Sequence, residues 1–225
     1  VRTPTVIAVD WSGAKRPKGI WIAVVRDGAV VESRPLTTRE QAIDAVAVTP
    51  GPVIAGFDFS FSVPQWFAHE LSCRTVDDVW RAAERHGERW LAPTPPFWRT
   101  RCEVPAARRF RDCETRFPTA KSVFQLVGNG QVGAGSVRGM PLLPRLREAG
   151  FAIWPFNAAA ERMALEIYPS ALRRHISPPR AFESNDERDA VCSALVLWKH
   201  RRVLSALPAA TDPRSRIEGD LWMPA

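Results

Sequence analysis

Two short apolar runs, Val6-Ile-Ala-Val9 and Val53-Ile-Ala-Gly-Phe57, each stop at an aspartate, Asp10 and Asp58. Nearly continuous apolar runs of this length read as strands buried on both faces of a sheet. Thr5–Trp11 is the first predicted strand. Gly19–Arg26 and Ala29–Arg34 flank Asp27-Gly28, a dipeptide suited to the type I′ turn of a hairpin. The first three strands therefore read as an antiparallel meander. Thr38 is a suitable N-cap for a helix reaching Val46, which Pro50-Gly51-Pro52 ends. The strand closing at Asp58 follows this crossover, so it is expected parallel to a strand of the meander.

From Pro64 to about Lys121 the alternation stops and the chain becomes rich in Trp, Arg and Pro. Within this segment Thr75–Trp90 has helical periodicity. The core pattern resumes at Ser122–Val127, followed by a glycine-rich loop and a helix from about Met140 to Ala149. Gly150 is placed as its C-cap. Short strands are expected at Phe151–Trp154 and Ala164–Tyr168, the second stopped by Pro169. A long helix runs from Asn185 to about Ser205, after the Pro178-Pro179 breaker. The expectation is an α/β fold in one domain, 1–225, with an insertion at about 65–121 laid over one face or edge of the sheet.

Composition changes this picture little. A hydrophobic fraction of 45% and a charged fraction of 24% are ordinary for a globular protein. No run of eighteen apolar residues is present, which argues against a membrane-spanning helix. No signal-peptide pattern follows Val1-Arg-Thr-Pro-Thr, so cytoplasmic residence is expected. Cys73, Cys102, Cys113 and Cys192 lack a C-x-x-C spacing and are read as reduced thiols, Cys192 within a buried helix. The net charge of +7 invites a nucleic-acid partner. The excess is spread along the chain without a basic tail or block, so it supports that reading only weakly.

The element order resembles the ribonuclease H-like fold. The segments Val-Asp10-Trp-Ser-Gly, Gly-Phe-Asp58-Phe-Ser, Gly135-Ser-Val-Arg-Gly-Met-Pro141, Leu-Glu166-Ile-Tyr-Pro169, Asp186-Glu-Arg-Asp189-Ala and Ile217-Glu-Gly219 carry the likeness further. As an ordered set they resemble a bacterial family described as predicted RNase H-like nucleases, over nearly the whole chain except 65–121. The resemblance implies that the first strand lies beside the fourth, with Asp10 and Asp58 side by side at its C-terminal edge. It also implies that Asp189 supplies a metal ligand from the last helix, with Asp186 as neighbour or second ligand, and that Glu166 has a role in the site.

Carboxylates one strand apart repel unless a cation lies between them. Hard oxygen donors suit Mg²⁺ or Mn²⁺, and two such ions could support phosphodiester hydrolysis of DNA or RNA. The expected catalytic residues are Asp10, Asp58, Glu166 and Asp189, and the expected metal ligands Asp10, Asp58, Asp189 and Asp186. Ser12, Lys15 and Arg138 are the expected substrate contacts, with Arg16 and Lys18 in the same basic loop as Lys15.

Each assignment has a plainer competitor. Asp10 could form an Asx-turn with Ser12-Gly13. Asp186 and Asp189 could offset the helix dipole, beside a capping box Ser184-Asn-Asp-Glu187. Glu166 could be an exposed edge residue or pair with Arg173 or Arg174. The insertion's tryptophans could stack bases, but core packing is the commoner use. Gly128-Asn-Gly130-Gln-Val-Gly133 matches G-x-G-x-x-G, yet Gly135 and Gly139 postpone the helix that a dinucleotide site needs, leaving an anion-binding or flexible loop. An actin-like phosphoryl-transfer enzyme would need two copies of this fold around a cleft, where one is present. A non-catalytic nucleic-acid-binding protein on the scaffold is the third reading.

Overall fold

The computed structural model describes residues 2–92, 95–117, 119–127 and 132–224. The early elements follow the hydrophobic pattern closely. Strands β1 (Thr5–Asp10), β2 (Ile20–Arg26) and β3 (Ala29–Leu36) form the antiparallel meander. Asp27 and Gly28 both have positive φ, 49° and 83°, as the tight hairpin turn requires. Helix α1 (Arg39–Ala47) starts at Thr38, whose side chain accepts from the Gln41 N–H. It crosses over to β4 (Val53–Phe57), which pairs with β1 in parallel.

The insertion carries α2 (Gln65–Glu70), α3 (Val76–Trp90) and α4 (Asp112–Thr115). Thr75 and Asp78 form a reciprocal capping box at the start of α3. Then come α5 (Val132–Gly139), α6 (Leu143–Glu148), β5 (Ala152–Ile153), β6 (Arg162–Glu166) and α7 (Pro169–Leu172). The chain closes with α8 (Asn185–Lys199), α9 (Arg201–Leu204) and α10 (Ser215–Glu218). The sheet order is β3-β2-β1-β4-β6-β5, an antiparallel meander joined to parallel strands and flanked by helices. The α/β architecture expected from the pattern is present.

Strand alternation divides the core into two layers. Ile7, Val9, Ala55 and Phe57 face one layer with α1, α3 and the aromatics of the insertion. Val6, Ala8, Ile54 and Leu165 face the other, with α8 and Trp222. Both central strands, β1 and β4, are thus buried on two faces, as their apolar runs require. The insertion packs as part of the first layer: Phe67, Trp80 and Phe97 are buried, and the Trp80 indole donates to the Phe61 carbonyl at 2.7 Å. Among the described residues, no helix is long and apolar enough to cross a membrane. All four cysteines are free, with Cys192 buried in α8.

Three expectations need correction. Ser122–Val127 does not join the sheet; it meets Trp98 through an isolated bridge, with Leu126 N–H donating to the Trp98 carbonyl at 2.9 Å. Its apolar residues Val123, Phe124 and Leu126 fill the aromatic layer of the insertion instead. The glycine-rich stretch after it is helical from Val132. Its glycines serve close approach: a Cβ on Gly139 would lie 2.6 Å from the Phe59 ring. Residues 128–131, which hold most of the G-x-G-x-x-G pattern and any anion loop, lie outside the described residues. Finally, the last long helix ends at Lys199; His200 (φ −100°, ψ 9°) leaves helical geometry before α9 begins.

Candidate active site

The last register pair of β1 and β4 is Val9 with Phe57, so Asp10 and Asp58 follow at the same edge of adjacent strands. The Asp58 N–H donates to the Val9 carbonyl at 3.1 Å, continuing the parallel pairing by one residue. Helix α8 packs across β1 and β2 and brings its first turn to this edge. Ser184 caps it by accepting from the Glu187 N–H at 3.0 Å. The Glu187 carboxylate accepts from the Glu183 N–H, not from Ser184, so only half of the expected capping box forms. Asp186 is not used in the cap and lies against Gly19, where an added Cβ would come within 2.3 Å of its Oδ2.

Asp10, Asp58, Asp186 and Asp189 all line one open cavity of about 690 Å³. Three of them show the cost of gathering acids in one place. Asp10 is pushed up to about 10, first by burial and then by the charges of Asp58, Asp186 and Asp189. Asp58 is pushed up to about 8, first by burial and then by Asp189 and Glu166. Asp186 is also raised, by burial and by Asp189. The Arg173 guanidinium opposes the rise at Asp10 and Asp58. Arg173 therefore offsets the mutual repulsion of the cluster only in part.

A divalent cation is the chemical complement of that arrangement. Aspartate oxygens are the donors that Mg²⁺ and Mn²⁺ prefer, and the mutual repulsion of their ionised forms is what such an ion would offset. Among the described residues, however, no three His, Cys, Asp or Glu side chains are already grouped to hold an ion. The Asp189 Oδ1 is instead engaged by Arg173, with the Arg188 Nε at 3.7 Å. The donor type and charge fit the metal; a closed ligand cage is not preformed.

The other expected site residues divide. Ser12 lines the cavity, and its hydroxyl accepts from the Lys18 N–H at 3.3 Å. Among the described residues, no Asx-turn bond from Ser12 or Gly13 reaches the Asp10 carboxylate, so that alternative is absent. Arg39 donates to the Ser12 carbonyl at 2.9 and 2.7 Å, which shapes the loop from beneath. Lys15 is exposed and does not line the cavity; Lys18 does, together with Lys121. Arg138 is turned away, donating to the Gly13 carbonyl at 2.5 Å and to Glu88 at 2.7 Å. It braces the loop and is not a wall of the cavity.

Glu166 is placed differently from the other acids. It is 4% exposed and lies beside Phe57 on the neighbouring strand, but does not line the cavity that holds Asp10. Both of its oxygens are taken by Arg111, and Oε2 also accepts from the Phe61 N–H at 2.9 Å. Its partner is thus an arginine of the insertion, not Arg173 or Arg174. Expected as a catalytic carboxylate, it is committed to an internal ion pair.

Sequence reasoning missed Arg111 and Lys121 as neighbours of the site and did not foresee the pairing of Arg173 with Asp189. Arg111 carried no local signal, being one of many arginines in a segment without periodicity. A wider groove of about 1190 Å³ lies elsewhere, but its one lining acid, Asp77, is paired with Arg147. No protein-family model matches the chain, and comparison with curated proteins and with solved structures returns no match.

Proposed function

We propose that this protein is a divalent-metal-dependent nuclease, hydrolysing phosphodiester bonds of DNA or RNA on a ribonuclease H-like scaffold. The observation that carries the reading is the convergence of four aspartates, from β1, β4 and α8, on one open cavity. The sheet order through β3-β2-β1-β4 and the ordered motifs around Asp10, Asp58 and Asp189 support the scaffold.

In this reading Asp10, Asp58 and Asp189 hold Mg²⁺ or Mn²⁺, with Asp186 as a further ligand or neighbour. The bound ions would supply an activated water and charge stabilisation at the leaving oxygen. The chain's own contribution is orientation. The parallel pairing of β1 and β4 fixes the spacing of Asp10 and Asp58, and the capped N-terminal end of α8 presents Asp186 and Asp189. Arg173 holds the Asp189 carboxylate. Lys18 and Lys121 are exposed cations on the cavity wall, suited to phosphate oxygens, and Ser12 lines the same cavity. Cytoplasmic residence agrees with the four free thiols.

The test is cleavage of labelled single- and double-stranded DNA, RNA, hybrid and branched substrates with Mg²⁺ or Mn²⁺, comparing the native chain with Asp10→Asn. Cutting that needs both the metal and Asp10 is the expected result. Folded native protein that cuts none of them overturns the nuclease reading.

A further inference from the structure

Arg111 is wholly buried, and an isolated buried charge is among the costliest groups to place in a protein. All five of its N–H donors are used. Nε donates to Glu114 Oε1 at 2.9 Å; Nη1 donates to Glu166 Oε2 at 2.8 Å and to the Glu218 carbonyl at 3.0 Å. Nη2 donates to Ser60 Oγ at 3.1 Å and to Glu166 Oε1. A lysine could satisfy only part of this set, because its three donors diverge from one atom.

The acceptors converge on the turn that follows Asp58. Ser60 is held three ways: its hydroxyl accepts from Arg111 and donates to Glu114 Oε1 at 3.5 Å, and its N–H donates to the Ser136 hydroxyl of α5 at 2.9 Å. The Phe61 N–H is held by Glu166 at 2.9 Å, and the Phe61 carbonyl by the Trp80 indole. On the other side of the turn, the Ile167 N–H donates to the Phe57 carbonyl at 3.0 Å. Residues 57, 60 and 61 are therefore pinned around Asp58, and Arg111 with Glu166 makes two of those attachments. Asp58, Ser60, Arg111 and Glu166 line one small cavity together, so the cluster adjoins the aspartate.

We infer that Arg111 is a positioning residue for Asp58, acting through Glu166 and Ser60 to aim that carboxylate into the cavity. This rests on the reading of Asp58 as a metal ligand. It also gives the 65–121 insertion a function: supplying the cation that fixes the direction of a sheet-edge aspartate. Supporting groups of this kind change metal affinity by about 10–100-fold when removed.

The experiment is Mn²⁺ titration by calorimetry and by the electron paramagnetic resonance line shape of the bound ion. The proteins are the native chain, Arg111→Lys, Asp58→Asn and the double variant, each well below its unfolding temperature. Val46→Ala, in a distant part of α1, controls for simple destabilisation. Arg111→Lys is expected to weaken Mn²⁺ binding about tenfold and to alter the line shape. Its effect is expected to vanish on the Asp58→Asn background, whereas Val46→Ala leaves affinity unchanged. Ser60→Ala, which deletes a single hydroxyl, is the second variant and carries the test if Arg111→Lys does not fold; weaker binding by about tenfold, the low end of that range, is expected. Native-like affinity in folded Arg111→Lys, or in Ser60→Ala where that variant carries the test, overturns the positioning role while leaving the metal reading intact. A native chain that binds no Mn²⁺ overturns the metal reading and the positioning role with it.

Discussion

Asp58 extends the parallel pairing of β4 with β1 by one residue, through its N–H to the Val9 carbonyl at 3.1 Å, and so shares an edge with Asp10. Neither carboxyl group has its ordinary acidity in that position. Burial raises both, and their neighbours' charges raise them further.

This has a consequence for stability. The folded-state values of about 10 for Asp10 and about 8 for Asp58 stand well above an unfolded aspartate, roughly 4. Between these limits the folded state binds more protons than the unfolded chain, so stability decreases as pH rises. Metal-free protein is expected to melt several degrees lower at pH 8.5 than at pH 5, on the scale of roughly 2–4 °C per kcal/mol for a chain of this size. Asp10→Asn should flatten that dependence and raise the melting temperature at pH 8.5. Thermal unfolding in EDTA across this range measures it, and a native melting temperature that climbs from pH 5 to 8.5 would contradict the assignment.

A cation at the cluster should reverse the penalty. At pH 8, Mn²⁺ at about 100 times its dissociation constant should stabilise the native chain by about 2.7 kcal/mol. Asp10→Asn and Asp58→Asn should lose most of that gain. Melts in sodium chloride of matched ionic strength separate specific binding from ionic strength. Equal stabilisation of the native chain and both variants would count against a site at the sheet edge.

Removing one partner of a buried ion pair strands the other. Arg111→Met leaves Glu166 and Glu114 buried without their cation and should cost about 3–5 kcal/mol in urea unfolding. The double variant Arg111→Met with Glu166→Met should recover a substantial part of the loss. A single-variant cost below about 1 kcal/mol, the level of exposed pairs, would show that the network is not buried in solution.

The lysines can be ranked by position. Lys18 and Lys121 line the cavity, whereas Lys15 is exposed outside it. Replacing Lys18 and Lys121 together by Ala should weaken nucleic-acid binding several-fold and reduce its salt dependence by about two counterions. Lys15→Ala should leave both nearly unchanged. Equilibrium binding at several salt concentrations checks this, and equal effects at all three positions would remove the distinction.

Much of the architecture was legible because the early signals are local. An acid closing an all-apolar run marks the C-terminal end of a buried strand, and this located Asp10 and Asp58. The Asp27-Gly28 turn and the Thr38 cap were equally direct. The helix Val132–Gly139 was hidden because glycine, which is weakly helical alone, is needed there for packing against Phe59 and the 123–125 backbone. Ser122–Val127 misled for the opposite reason: its apolar residues fit a strand, but the insertion's aromatic layer claims them.

The sequence by itself determined the meander, the crossover and the placing of two aspartates at strand ends, since backbone periodicity and turn sterics act over a few residues. Only the tertiary structure decided which cation meets which acid. Glu166 is paired with Arg111, 55 positions away, and Asp189 with Arg173, 16 away. Charge and composition are the same for every arginine of this chain, so the choice among them is made by packing, which brings one guanidinium within hydrogen-bonding distance and buries it there.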